Sequence, residues 1–390
     1  MLNKKMKICV VITARPSYSR VKSLLLAIKR SSRFDLQIVL AASALLDKFG
    51  KVEEEIINDG FSISYRVHNL VETDNDPSSM GITTGLGIVQ LTQLFTQMRP
   101  DIVVTIADRF ETLATSVAAS YSGITLIHIQ GGEITGNIDE RVRHANTKLA
   151  DIHFASCASA KQVILNMGEN PSYVFNAGCP SLDLIANMKD LPAFVLQKEI
   201  DKKGVGSLIS ISNPFLVSLL HPVTTELQSS EEQATQLLHT ILSTDIPCFW
   251  FWPNADAGTS GTSRALRKFR EENPNNKFRF IKNLSPETFI SLLKRSIGLL
   301  GNSSSGIREC SFLGVPVVNI GSRQNGRERG PNVIDVGNNE KEISAALQSI
   351  ISIKKHFDPS YIYGHGDSGE RICQILTELE LPNGKMFNLI

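Results

Sequence analysis

This sequence of 390 residues lacks paired cysteines, long apolar runs and a dominant charge sign. Each absence removes a class of protein. The six cysteines, Cys9, Cys157, Cys179, Cys248, Cys310 and Cys373, lie far apart, with no Cys-x-x-Cys pair and no metal-ligand spacing beside histidine. They read as reduced and mostly buried, in a cytoplasmic protein with no metal site. The apolar run at 8–12 is too short for a signal-peptide core or a membrane span. Forty basic residues stand against thirty-nine acidic ones, a formal net charge of +1, and no long basic run occurs. Neither a nucleic acid nor an anionic membrane is therefore an expected partner. Two nucleotide motifs are missing as well. There is no Gly-Lys-Ser/Thr P-loop ending, which disfavours ATP hydrolysis by that device. Where a Gly-x-Gly-x-x-Gly turn would follow the first strand, the chain has Thr13-Ala14-Arg15-Pro16-Ser17. That weakens a dinucleotide reading.

What is present is a recurrent alternation of apolar, β-branched runs with amphipathic stretches. In the first half the runs 8–13, 36–41, 102–107, 124–129, 152–155 and 173–176 predict strands. They are nearly continuous in apolar character, as expected of a sheet covered by helices on both faces. Helices are predicted over 17–31, 43–58, 85–98, 109–121 and 140–150. The stretch 190–213 has little strand character and reads as a passage between domains. A second series follows, with strands at 215–220, 246–252, 278–281, 297–300, 315–320 and 333–336, and helices at 230–242, 263–272, 286–294, 306–313 and 340–351. A last helix is expected within 369–381. Two doubly wound α/β domains bind ligands at the carboxyl ends of their strands, so polar residues there are the ones to weigh.

The strongest local signal is Gly301-Asn302-Ser303-Ser304-Ser305-Gly306-Ile307-Arg308-Glu309, between a strand and a helix. Small residues allow close backbone approach, and amides and hydroxyls at a helix start hold phosphate; a serine-capped turn is the plainer reading. Arg15 follows the first strand, suited to a diphosphate clamp or to a surface salt bridge. Asp108-Arg109 ends another strand, where the aspartate suits either a helix cap or acid–base work. Gln130-Gly131-Gly132-Glu133 ends the next, and Asp139, Glu140, Arg143 and His144 open the helix after it. His221 stands just past a strand of the second half, fit for proton exchange, phosphate contact or a structural hydrogen bond. Pro253-Asn254-Ala255-Asp256-Ala257-Gly258 and Gly321-Ser322-Arg323-Gln324 are two more polar strand ends.

Together these segments resemble the hydrolysing UDP-N-acetylglucosamine 2-epimerase family, over roughly 7–379 of the chain. The anchors are Asp108-Arg109-Phe110, His128-Ile129-Gln130-Gly131-Gly132-Glu133, Ile138-Asp139-Glu140, Arg143-His144, His221-Pro222-Val223-Thr224-Thr225, 253–258, 301–309 and Arg323-Gln324. The family includes sialic-acid biosynthetic enzymes and relatives acting on UDP-N,N'-diacetylbacillosamine. The resemblance implies a GT-B-like α/β fold: two doubly wound Rossmann-like domains with an interdomain active-site cleft. The domains would span 1–189, for sugar chemistry, and 190–365, for UDP; 366–390 would form a helix and tail packing back on the first. It implies Asp108, Glu133, Glu140 and His221 as catalytic residues. Arg15, Arg109, Gln130, Arg143, Asn254, Asp256, Ser303, Ser304, Glu309 and Arg323 would bind substrate. No cofactor is implied, the ligand is a UDP-sugar, and the assembly is a homodimer or homotetramer. UDP-N-acetylglucosamine and water would give N-acetylmannosamine and UDP. The alternatives are the diacetamido sugar nucleotide, a GT-B glycosyltransferase, or a non-catalytic UDP-sugar binder. Two positions depart from the family pattern. Gln130 stands where glutamate is usual, and 14–18 differs from the common Arg-Ala-Asp-Tyr form. A neutral amide orients a hydroxyl or water but does not exchange a proton, so that duty would pass to Glu133 or the activity would be altered.

Overall fold

The computed structural model describes residues 5–47, 50–71, 78–135, 138–223, 229–253, 259–274, 276–353, 355–385 and 387. Two compact units emerge. One is built from Met1–Ile134, Ile138–Ala186 and Tyr363–Ile390, the other from Thr135–Asn137 and Asn187–Ile362.

The first unit holds β1 (Met6–Ile12), β2 (Phe34–Ala41), β3 (Tyr65–Val67), β4 (Ile102–Ile106), β5 (Thr125–Ile129), β6 (Ile152–Ala155) and β7 (Val174–Asn176). They form one parallel sheet in the order β3-β2-β1-β4-β5-β6-β7. Successive residues of a strand serve opposite faces. Val10, Ile12, Leu40, Val104 and Ile106 pack into one apolar cluster, whereas Cys9, Val11, Val39 and Val103 join Leu91, Phe95, Ala114 and Ala118 in another. Both faces are covered, which explains the unbroken apolar strands in the sequence. After β1 the chain works outward through β2 and β3, then returns to lay β4 on the other side of β1. The strand order therefore reverses between β1 and β4, and that switch point opens a crevice at the carboxyl ends.

The second unit holds β8 (Gly204–Gly206), β9 (Leu216–Leu219), β10 (Cys248–Phe251), β11 (Phe278–Ile281), β12 (Gly298–Gly301), β13 (Val317–Ile320) and β14 (Val333–Val336). Their order is β14-β13-β12-β9-β10-β11-β8, parallel except for β8 against β11. Here the reversal falls between β9 and β12. Trp250, Phe278, Leu300 and Val318 face Leu237, Phe269 and Leu347 on one side of the sheet.

Some local expectations change. The stretch 190–213 is not a loose passage. It carries the helix Ala193–Lys203, which buries Leu196 and Ile200 one turn apart, and then β8. The expected helix over 43–58 is a single tight turn, Ala42–Leu45, followed after an interval by Val52–Asn58. The helix expected at 306–313 divides into Ser304–Ile307 and Glu309–Leu313 at Arg308, whose ψ of −66 bends the path. None of the six cysteines is in a disulfide, and all are buried. Among the described residues no helix is long and apolar enough to cross a membrane, and no cluster of His, Cys, Asp or Glu suits a metal ion.

Candidate active site

In the first unit, three strand ends leave the sheet through left-handed backbone on residues that are not glycine: Ala42 (φ 50), Ala107 (φ 61) and Gln130 (φ 64). Such conformations are uncommon and cluster where a chain is held for function. Ala107 is held from several sides. Its N–H donates to the Ile129 carbonyl (2.8 Å), and its carbonyl lies 2.8 Å from His128 Nε2. The other ring nitrogen of His128 meets Thr147 Oγ1 at 3.1 Å. Burial pushes His128 down to about 3, so the ring is neutral at ordinary pH.

That turn presents Asp108 at the switch point. Its carboxylate is flanked by two guanidiniums, Arg20 at 3.5 Å and Arg143 in a close ion pair. Arg143 is only 1% exposed and also donates to the Glu133 carbonyl, so one buried cation ties the ends of β4 and β5 together. Glu133 is itself buried, its Oε1 accepting from Ser156 Oγ at 2.7 Å. Arg143 belongs to the helix Ile138–Leu149, with Glu140 one turn before it. His144 Nε2 lies 3.6 Å from Glu140 Oε1, and burial holds the ring below its ordinary value despite that carboxylate. Spacings of three and four residues put Glu140, Arg143 and His144 on one helix face.

Gln130 donates from Nε2 to Cys179 Sγ (3.0 Å), while its Oε1 is buried with no hydrogen-bond partner among the described residues. Gly132, at φ 82, lies where any Cβ would strike the Ala160 carbonyl, so the loop passes too close for a side chain. Arg109 turns its guanidinium onto buried Glu111 at 3.1 Å. Arg15 opens the helix Arg15–Ser19 beside β1, with Pro16 in its first turn.

In the second unit the reversal between β9 and β12 carries His221 and Asn302-Ser303-Ser304. Ser303 caps the short helix that follows, accepting from Ser305 N–H at 3.3 Å. Gly306 packs against Leu299 and Val317, which draws that helix onto the sheet. His221 is 5% exposed, and burial together with the nearby Arg323 charge pushes it down to about 3. Arg323 Nη1 donates to the Asn302 carbonyl at 3.1 Å. Glu309 is half-buried at the start of the second short helix. Asn254 and Asp256 lie outside the described residues, as do Thr224 and Thr225 of the His221 segment.

The structure thus gathers Asp108, Glu133 and Arg143 in the first unit, and His221, Ser303 and Arg323 in the second. Three supporting roles escape sequence reading. Arg20 is the second cation on Asp108. His128, visible in the sequence only as part of a motif, braces the Ala107 turn, and Asn302, likewise, joins β9 to β12. Their partners are distant in the chain, so no local spacing marks these roles; Glu111, by contrast, pairs with Arg109 two residues away.

A family profile described as UDP-N-acetylglucosamine 2-epimerase matches residues 26–377. UDP-N,N'-diacetylbacillosamine 2-epimerase (hydrolyzing) of Legionella pneumophila is 33% identical over 380 residues, covering 96% of either chain. UDP-N-acetylglucosamine 2-epimerase of Neisseria meningitidis is 28% identical over 383 residues, 97% of this chain and 96% of its own. Among solved structures, a UDP co-structure of S. aureus MnaA matches in fold with a TM-score of 0.78, at 17% identity over 99% of this chain and 100% of that one.

Proposed function

This chain belongs to the UDP-N-acetylglucosamine 2-epimerase family, and on that footing we propose that it is a hydrolysing 2-epimerase of a UDP-2-acetamido sugar. The leading reaction takes UDP-N-acetylglucosamine and water to N-acetylmannosamine and UDP. One observation carries the reading: Asp108 stands at the first unit's switch point with its carboxylate held by Arg20 and Arg143.

The chemistry needs a base at sugar C2 and stabilisation of the departing diphosphate. Asp108 takes the C2 proton, and the electron pair of that bond forms a C1–C2 double bond as the C1–O bond breaks. UDP leaves with the bonding pair. Water then adds to C1 of the glycal, giving up a proton to Glu133, while Glu140, protonated at that stage, returns a proton to C2 from the opposite face. Glu133, braced by Ser156, relays protons beside them, and Gln130 offers its carbonyl oxygen to a hydroxyl or the water. Arg143 orients Asp108 and Glu133 rather than meeting the sugar, and Arg109 acts as a substrate contact from its place on Glu111.

In the second unit, Ser303 and Ser304 donate to the diphosphate, joined by Arg323; Arg15, in the first unit, is a further phosphate-binding residue. Glu309 accepts from ribose hydroxyls, with Asn254 and Asp256 as further substrate contacts. His221, neutral because burial and Arg323 lower it to about 3, serves the leaving group as a hydrogen-bond donor without carrying a spare proton. The enzyme acts in the cytoplasm as a homodimer or homotetramer.

A second substrate has its own support: the Legionella relative, which acts on the diacetamido sugar nucleotide, is 33% identical, against 28% for the Neisseria enzyme. Proton NMR of the purified protein with each sugar nucleotide in deuterated water tests both. Free N-acetylmannosamine carrying deuterium at C2, together with UDP, supports the leading reaction. Turnover of the diacetamido substrate alone moves the assignment to it. An epimer still attached to UDP overturns the hydrolytic reading.

A further inference from the structure

Two candidate groups of the second unit, His221 and Arg323, bond to one residue to which the reaction above gives no role. Asn302 follows β12 and is 1% exposed. Its N–H donates to the Leu219 carbonyl (3.2 Å). Its Oδ1 accepts from the His221 N–H (2.7 Å), and its Nδ2 donates to the His221 carbonyl (2.8 Å). Its own carbonyl accepts from Arg323 Nη1 (3.1 Å) and Gln324 Nε2 (2.8 Å).

The geometry has a simple cause. Leu219 and Gly301 are the last register pair of β9 and β12, and beyond them the backbones part at the switch point. The planar amide of Asn302, donor and acceptor side by side, continues the ladder one step further by pairing with both backbone groups of His221. Gly301 permits it, for at φ 137 any Cβ there would strike the Leu219 carbonyl. The backbone of His221 is thereby held at two points while its ring stays buried. Nδ1 of that ring has no hydrogen-bond partner among the described residues, which leaves it open to a ligand atom.

We propose that Asn302 is the positioning residue of the nucleotide half of the site, holding His221 by its side chain and Arg323 by its carbonyl so that both meet one diphosphate. This deepens, and rests on, the reading of the second unit as the UDP-binding half. Asn302 touches neither the sugar nor the reacting atoms; it acts through the two residues it holds.

The test compares wild type with Asn302→Ala and the near-isosteric Asn302→Leu. The His221 ring signals in nitrogen-15 NMR are assigned by their loss in His221→Gln, and UDP affinity is measured by calorimetry. In the variants the His221 ring is expected to titrate nearer its ordinary value, UDP to bind about tenfold or more weakly, and kcat to fall alongside. A merely structural role would lower the melting temperature and leave the His221 titration where it was. Folded variants with wild-type His221 titration and wild-type UDP affinity overturn the proposal. Should neither variant fold, Asn302→Asp keeps the bond from His221 N–H and loses the one to its carbonyl. It is then expected to weaken UDP binding, and unchanged affinity overturns the proposal. A wild type that binds UDP without turning over any sugar nucleotide sinks the catalytic reading instead, and the titration still decides the role of Asn302.

Discussion

Asp108 sits between two cations that come from different parts of the chain, Arg20 from the end of the first helix and Arg143 from the helix after β5. Replacing it by asparagine keeps the shape and removes the base. Asp108→Asn is expected to lower kcat by about a thousandfold, with deuterium uptake at C2 lost and UDP affinity, read by calorimetry, unchanged. Undiminished C2 exchange would move the base to Glu140 or Glu133. The carboxylate itself was legible in the sequence, because Asp-Arg directly after an apolar strand marks a strand end. Its partners were not. Arg20 lies 88 positions before Asp108 and Arg143 35 after it, counting along the sequence, and only the fold shows that they meet there.

At the scale of elements, the site depends on how strands end. Gly301 and Gly132 each occupy a positive φ where an added Cβ would collide with a backbone carbonyl, of Leu219 in one case and Ala160 in the other. Backbone cannot yield as the tip of a side chain can, so strain and steric conflict add. Gly301→Ala is expected to destabilise the second unit by about 2 kcal/mol or more and to weaken UDP binding with it, as thermal melts with and without UDP would show. Equal melting temperatures and equal UDP-induced shifts would refute that. The glycines were visible as a close-approach signal, and the partner they approach was not. The reverse holds for the helix Ala193–Lys203. Its charged and polar residues hid a single apolar stripe, Leu196 and Ile200, that packing against the second unit turned into an element.

At the scale of the molecule, buried histidines held below their ordinary value couple stability to acidity, His128 and His221 among them. His128 and His221 are each lowered to about 3 in the folded chain, whereas an unfolded histidine titrates near 6.5. The unfolded state therefore binds more protons between those values. Their contribution is fully present above about pH 6.5 and is lost at about 1.4 kcal/mol per pH unit per histidine as pH falls towards 3. Urea melts at pH 7 and pH 5 should differ accordingly, and His128→Gln should shrink the difference. An identical slope in that variant would remove His128 from the account. The chain also closes on itself, since the helix Ser368–Glu378 belongs to the unit that the first residues build. Asp183 caps it through Ser368 and Gly369 N–H (2.9 and 2.7 Å), and Ile372 and Leu376 are fully buried in the first core. A chain ending at Ile362 is expected to lose the cooperative melt of the first unit, followed by near-ultraviolet circular dichroism. A wild-type melt would show that helix to be dispensable.

By itself the sequence determined the α/β class, the two series of strands, and the polar residues at strand ends from Arg15 to Arg323, because burial on both sheet faces forces continuous apolar runs and leaves polarity to the ends. Tertiary structure alone decided which ends sit at the switch points, that Arg143 is buried on Asp108, and that Asn302 grips His221. These outcomes depend on strand order and register between segments far apart in the chain, and local residue preferences carry no record of either.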